Sequence, residues 1–173
     1  RYRDATDGSE YLYTLLVPAD ANQLFPCFDQ PDLKAKVTLR LAAPKEWRVV
    51  ANSPETGATV SSHGTSIDHR FAETEPISTY LIAFAAGPWA TVTSQASKRP
   101  ITMYVRKSRV AEAEADSIIL ANDVAARWLE GYFARPFPFR KPDVVLAPAF
   151  PFGGMEHPGA IFYSEDRFIF RER

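Results

Sequence analysis

Lys34-Ala35-Lys36-Val37-Thr38-Leu39-Arg40-Leu41 is the stretch that decides the fold class. Polar Lys34, Lys36, Thr38 and Arg40 alternate strictly with apolar Ala35, Val37, Leu39 and Leu41. A period of two places successive side chains on opposite faces, so these residues read as a strand with one wet and one buried face. The same pattern continues outward. Trp47 to Ala51 reads as the next strand, ended by Asn52-Ser53-Pro54. Thr56 to Ser62 and Thr65 to Phe71 flank His63-Gly64, a hairpin turn in which Gly supplies the positive φ. Tyr80 to Ala86 is apolar almost throughout, which suits a strand covered on both faces. Ile101 to Arg106 alternates again, with Ile101, Met103 and Val105 on one side. Upstream, Tyr11 to Val17 is rich in β-formers and is closed by Pro18. Residues 1–106 therefore read as antiparallel β structure.

Beyond Arg106 the period changes. Val110 to Phe133 contains no Pro, and Ile118, Ala121, Ala125, Trp128, Leu129 and Tyr132 recur at three- and four-residue steps. That spacing predicts one long helix with a buried apolar stripe, capped by Ser108 and stopped at Arg135-Pro136. Glu112, Glu114 and Asp116 would sit in its first turns, where the helix dipole favours negative charge. Asp143 to Leu146 and Ala160 to Tyr163 read as short strands around a Gly-rich bend. The expected class is α+β, with a boundary near residue 107.

Composition narrows the function. Hydrophobic residues make up 46% and the net charge is −1, so a packed core is expected and the basic field of a nucleic-acid binder is missing. The longest apolar run, Leu81 to Ala86, is far short of the ~20 residues a membrane-spanning helix needs. Cys27 is the single cysteine and has no internal partner; it is expected to act as a small buried hydrophobe. Of the three histidines, His63, His69 and His157, no two stand four apart on a helix, so no H-E-x-x-H zinc motif is present. His63 and His69 read as exposed surface residues. G-x-S-x-G and phosphate-binding loops are also missing. Nothing in the sequence gives a localisation.

The segment that stands out is Gly153-Gly154-Met155-Glu156-His157. Taken by itself it reads as a Gly-Gly turn with a solvated carboxylate. It also resembles the G-x-M-E-N signature of the aminopeptidase N family of zinc metallopeptidases, the gluzincin aminopeptidases. Phe25-Pro26-Cys27-Phe28-Asp29-Gln30-Pro31-Asp32-Leu33-Lys34-Ala35 is similar to that family's F-P-C-x-D-x-P-x-x-K-A stretch. Pro76-Ile77-Ser78-Thr79-Tyr80-Leu81-Ile82-Ala83-Phe84 is similar to its P-x-S-x-Y-L-x-A-F stretch. The three matches fall in the family's order and span most of the chain.

The resemblance implies that residues 1–106 are the later portion of an N-terminal β domain. Residues 107–173 would open a thermolysin-like catalytic domain, cut before its zinc site. It implies a zinc cofactor in the full-length protein, with the ligands beyond Arg173, and hydrolysis of peptide N-termini by metal-activated water. The 173-residue fragment is expected to be inactive and to hold no metal at an intact site. Glu156 would anchor the substrate α-amine, since a carboxylate holds an ammonium through charge-assisted hydrogen bonds. Gly153, Gly154, Met155 and His157 would complete the substrate-binding segment, the glycines letting a peptide backbone approach.

Two positions depart from the family. His157 stands where Asn is usual and is expected either to replace the Asn hydrogen bond or to charge near neutral pH beside Glu156. Val17 falls, by alignment of Pro18-Ala19-Asp20-Ala21, where relatives place a Glu or Gln that also binds the amine. Asp29 is expected to be structural, accepting backbone N–H groups in its turn. Two other readings stand beside the enzyme: a non-catalytic relative that acts as a protein-interaction scaffold, and an unrelated β-sandwich binding module.

Overall fold

The computed structural model describes residues 1–169. The last four residues of the segment 107–173 lie outside them. In chain order the elements are β1 (Tyr2–Arg3), β2 (Glu10–Tyr13), β3 (Arg40–Pro44), β4 (Arg48–Ala51), β5 (Glu55–Val60), β6 (Ser66–Phe71) and β7 (Phe84–Gly87). They continue with β8 (Ala90–Thr93), β9 (Thr102–Val105), α1 (Ala115–Phe133), β10 (Asp143–Ala147), β11 (Gly154–Met155), β12 (Ala160–Ser164) and α2 (Glu165–Phe168).

Among the described residues three sheets form, ordered β1-β2-β7-β4, β3-β6-β5 and β11-β12-β10-β9-β8. The first two are antiparallel throughout. In the third, β10 runs parallel to both β9 and β12, while β8 and β11 are antiparallel edges. Residue 107, where strand sequence gives way to helix, lies between β9 and α1. The third sheet takes strands from both sides of it.

The alternation expected over 34–41 survives in exposure only from Lys36 on: Val37, Leu39 and Leu41 are half-buried and Lys36, Thr38 and Arg40 exposed, but Ala35 is exposed as well. Only Arg40 and Leu41 enter a ladder. Before them the chain is extended but irregularly paired, Val37 N–H donating to Thr74 Oγ1 at 3.0 Å and Ala35 bridging Ile77. The expected hairpin forms, with Gly64 at φ +69° between β5 and β6. The expected strand over Tyr80–Ala86 is shortened to Phe84–Gly87. Its first half turns instead, because side chains take the main-chain groups a ladder would use. Asn52 Oδ1 accepts Ala83 N–H, Asn52 Nδ2 donates to Leu81 O, and Thr14 Oγ1 accepts Phe84 N–H.

Other expectations are corrected. His69 is buried, not on the surface, with Nδ1 2.8 Å from Glu55 Oε1, whereas His63 is exposed as expected. Cys27 is only half-buried, against the Leu16, Ala21, Ile77 and Ile82 cluster. Asp29 has its structural role: Asn22 N–H and Thr79 Oγ1 both donate to its carboxylate. Ser108 does not cap α1; the helix starts later, and the Ser108 hydroxyl donates to Asp4 instead. Glu112 precedes α1 and pairs with Arg109 at 3.0 Å.

The helical stripe is the largest difference. α1 lies on β8 and β9 and buries Ile118, Ile119 and Asp123. Ile118 and Ile119 meet Met103, Val105, Val144 and Leu146. From Ala121 onward the expected stripe faces outward, Trp128 being 63% and Tyr132 69% exposed. Periodicity shows that a helix has an apolar face, not which length of it a sheet covers. The outward aromatics cover one another, Trp128 stacking on Tyr132 at 5.1 Å. In this chain Ile119→Ala should therefore cost about 2–5 kcal/mol, and Trp128→Ala no more than about 0.5 kcal/mol, in urea unfolding.

Candidate functional site

The segment singled out in the sequence forms the edge hairpin of the third sheet. β11 pairs with β12 in the register Gly154↔Tyr163 and Met155↔Phe162, and Ser164 N–H donates to Gly153 O at 3.0 Å. A Cβ on Gly154 would lie 2.9 Å from Tyr163 Cδ1, so this glycine is required by packing within the hairpin itself. At Gly153 a Cβ would meet only the end of the Arg167 side chain, at 3.3 Å. Met155 is buried in the core cluster with Tyr11, Phe150 and Phe162. Its side chain thereby pins the strand from behind. β11 is the last strand of the sheet, with no neighbour on its other edge among the described strands.

Glu156 follows directly and is exposed. Among the described residues it has no hydrogen bond or ion pair. It lines a cavity of about 390 Å³ with Phe137, Phe139, Met155, His157 and Tyr163. A second, mostly apolar cavity of about 510 Å³ runs on beneath the end of α1 and shares Phe137, Ile161 and Tyr163.

His157 is fully buried, its ring packed edge-on against Phe162 at 4.7 Å. Neither ring nitrogen has a hydrogen-bond partner among the described residues. Burial holds its pKa down to about 4. The expected charge near neutral pH is therefore not carried, and the ring makes no hydrogen bond to protein in place of an Asn. The expected strand Tyr11–Val17 ends at Tyr13, and Val17 lies beyond it in a turn, half-buried against the cluster that holds Met155.

The hairpin ends in Pro158-Gly159, and Gly159 has φ +75°. The main-chain oxygen of Asn52 occupies the space over it, 1.9 Å from where a Cβ would stand. Asn52 Nδ2 donates to Pro158 O at 2.8 Å, across 106 residues of sequence. Lys141 Nζ donates to Gly159 O and to Asp143 Oδ2, both at 2.8 Å. The sequence presents Asn52 only as a strand-ending residue, and no local spacing links it to the site. No group of three or more His, Cys, Asp or Glu that could hold a metal ion occurs among the described residues, and no helix there is long and apolar enough to cross a membrane.

Residues 1–81 match the Peptidase M1 N-terminal domain family. The chain is 33% identical over 177 residues to Aminopeptidase N of Streptomyces lividans, covering 100% of this chain and 20% of that protein. It is 34% identical over 155 residues to Glutamyl aminopeptidase of Sus scrofa, covering 88% of this chain and 16% of that protein. Aminopeptidase M1-B of Oryza sativa subsp. japonica is 31% identical over 175 residues, covering 99% of this chain and 19% of that protein. The chain thus spans a fifth or less of the length of these curated relatives.

Two consequences follow for the hairpin. His157 takes up a proton with a pKa near 6.5 when unfolded and about 4 when folded. Stability should therefore be unaffected above pH 6.5 and fall by up to about 3 kcal/mol as pH drops to 4, because only the unfolded chain binds the proton there. His157→Asn should flatten that part of the urea-midpoint profile. Gly159→Ala should cost at least about 3 kcal/mol, from the left-handed φ and the overlap with Asn52 together, read as a fall in melting temperature.

Proposed function

The chain belongs to the M1 aminopeptidase family, and from that premise we propose that the full-length protein is a zinc-dependent aminopeptidase that removes N-terminal residues from peptides. In this reading residues 1–106 are the later part of its N-terminal β domain and residues 107–173 open its thermolysin-like catalytic domain. Its partners are peptides with a free N-terminus. The observation that carries the reading is the exposed, unpaired carboxylate of Glu156, set directly after an edge strand.

An exopeptidase needs one group that recognises a free α-ammonium at a fixed place along the bound peptide. Glu156 supplies this through charge-assisted hydrogen bonds, each contributing roughly 1.5–3 kcal/mol. The free edge of β11 pairs with the peptide backbone, as an added strand pairs with an open sheet. Gly153, Gly154 and Met155 shape that edge, the glycines by lacking side chains and Met155 by anchoring in the core. His157, held neutral by burial, places no cation beside Glu156 to compete with the substrate amine. The zinc of this proposal would supply a Lewis acid and an activated water. The described residues do not provide a ligand set for it, so their part is to bind and orient the substrate.

The test is made on the full-length protein, with bound zinc and hydrolysis of an aminoacyl-anilide measured together. Glu156→Gln should raise KM by roughly 10- to 100-fold and leave the zinc content unchanged. An unchanged KM would sink the anchor. A full-length protein without zinc and without hydrolysis would favour the scaffold reading.

A further inference from the structure

Among the described residues the carboxylate of Glu156 has no partner of its own, so its position is set by the main chain on either side of it. On one side stands the β11–β12 pairing, with Met155 buried beneath it. On the other, with only His157 between, is the Pro158-Gly159 turn. That turn is held from outside its own sheet. Asn52, one residue past β4, engages its whole side-chain amide: Nδ2 donates to Pro158 O at 2.8 Å and to Leu81 O at 2.9 Å, and Oδ1 accepts Ala83 N–H at 2.7 Å. Its own carbonyl oxygen fills the space that only a glycine leaves open at residue 159. His157 adds no polar fixing point, since its ring is held by packing alone.

We infer that Asn52 is a positioning residue for Glu156: the β part of the chain sets, through one amide, where the amine-binding carboxylate stands. The inference rests on the reading of Glu156 as the amine anchor. Buried carbonyls are costly to leave without donors. When the Asn52 amide is lost, Pro158 O and Leu81 O must find other partners, and the turn moves to provide them. Among the described residues the Lys141 bond to Gly159 O and the Ala160 N–H bond to His157 O inside the hairpin then remain, and neither reaches Pro158 O. A displaced carboxylate binds the ammonium more weakly in ground state and transition state alike, which raises KM and spares kcat.

The experiment compares Asn52→Ala, Asn52→Asp and Glu156→Ala, with the double variants, in the full-length protein. Asn52→Asp keeps the acceptor for Ala83 N–H and loses the two donors, so it is read in place of Asn52→Ala if the latter does not fold. Each Asn52 variant should raise KM for an aminoacyl-anilide roughly 5- to 10-fold with kcat within about 2-fold. Added to Glu156→Ala, either should raise KM no further, because the two residues act through one interaction. A KM effect of full size in the Glu156→Ala background overturns the positioning role and leaves the anchor standing. So does a loss of active enzyme at unchanged KM, which is what a merely structural asparagine would give. A Glu156→Ala variant with the parent KM removes the anchor, and the role of Asn52 with it.

Discussion

The burial of β10 on both faces is the constraint on which the rest depends. Val144, Val145, Leu146 and Ala147 are fully buried, and their alternation divides them between two cores. Val145 and Ala147 join Tyr11, Val50, Met155 and Phe162. Val144 and Leu146 join Met103, Val105 and Ile119. A strand lying parallel to both neighbours and covered above and below has to be a continuous apolar run. Val144, Val145 and Leu146 each contribute roughly 1.5–3 kcal/mol on burial, so β10 fixes the register of β12 firmly. β12 in turn fixes β11, and β11 delivers Glu156.

The same core explains why the antiparallel part of the chain bears on the site at all. Tyr11, Val50, Ala83 and Ala85, from the first sheet and its approach, pack in one cluster with Phe150, Met155 and Phe162 from around the hairpin. Polar links cross the same junction, with the Tyr13 hydroxyl donating to Pro148 O beside the Asn52 bond to Pro158 O. At the far side, the buried Arg106 guanidinium joins Asp4 to Glu165, tying the first strands to α2. Removing one member would leave a charge buried without its partner, which is far costlier than the net worth of the pair. The two parts share side chains and main-chain bonds, so a change in one is felt in the other.

His157 shows how environment overrides residue type. Next to an exposed carboxylate, a histidine reads in sequence as a neutral-pH switch. Here the adjacent side chains point to opposite surroundings, Glu156 into solvent and His157 into the core against Phe162. Desolvation disfavours the imidazolium and keeps the ring neutral. The carboxylate is consequently left as the unpaired charge at this end of β11.

The sequence by itself determined the α+β class, the hairpin around His63-Gly64, strands within 101–106 and at 143–146, the helix and the family resemblance. These follow from local periodicity and short motifs, which are properties of neighbouring residues. It also picked out Glu156, since a signature segment travels with the chain. Only the tertiary structure decided that His69 and His157 are buried, that the α1 stripe faces outward from Ala121 onward, and that Asn52 holds the Pro158-Gly159 turn. Each of these depends on which distant segment lies alongside. Burial, protonation and hydrogen-bond partnership are set by neighbours in space, and a pairing across 106 residues leaves no period or spacing to read.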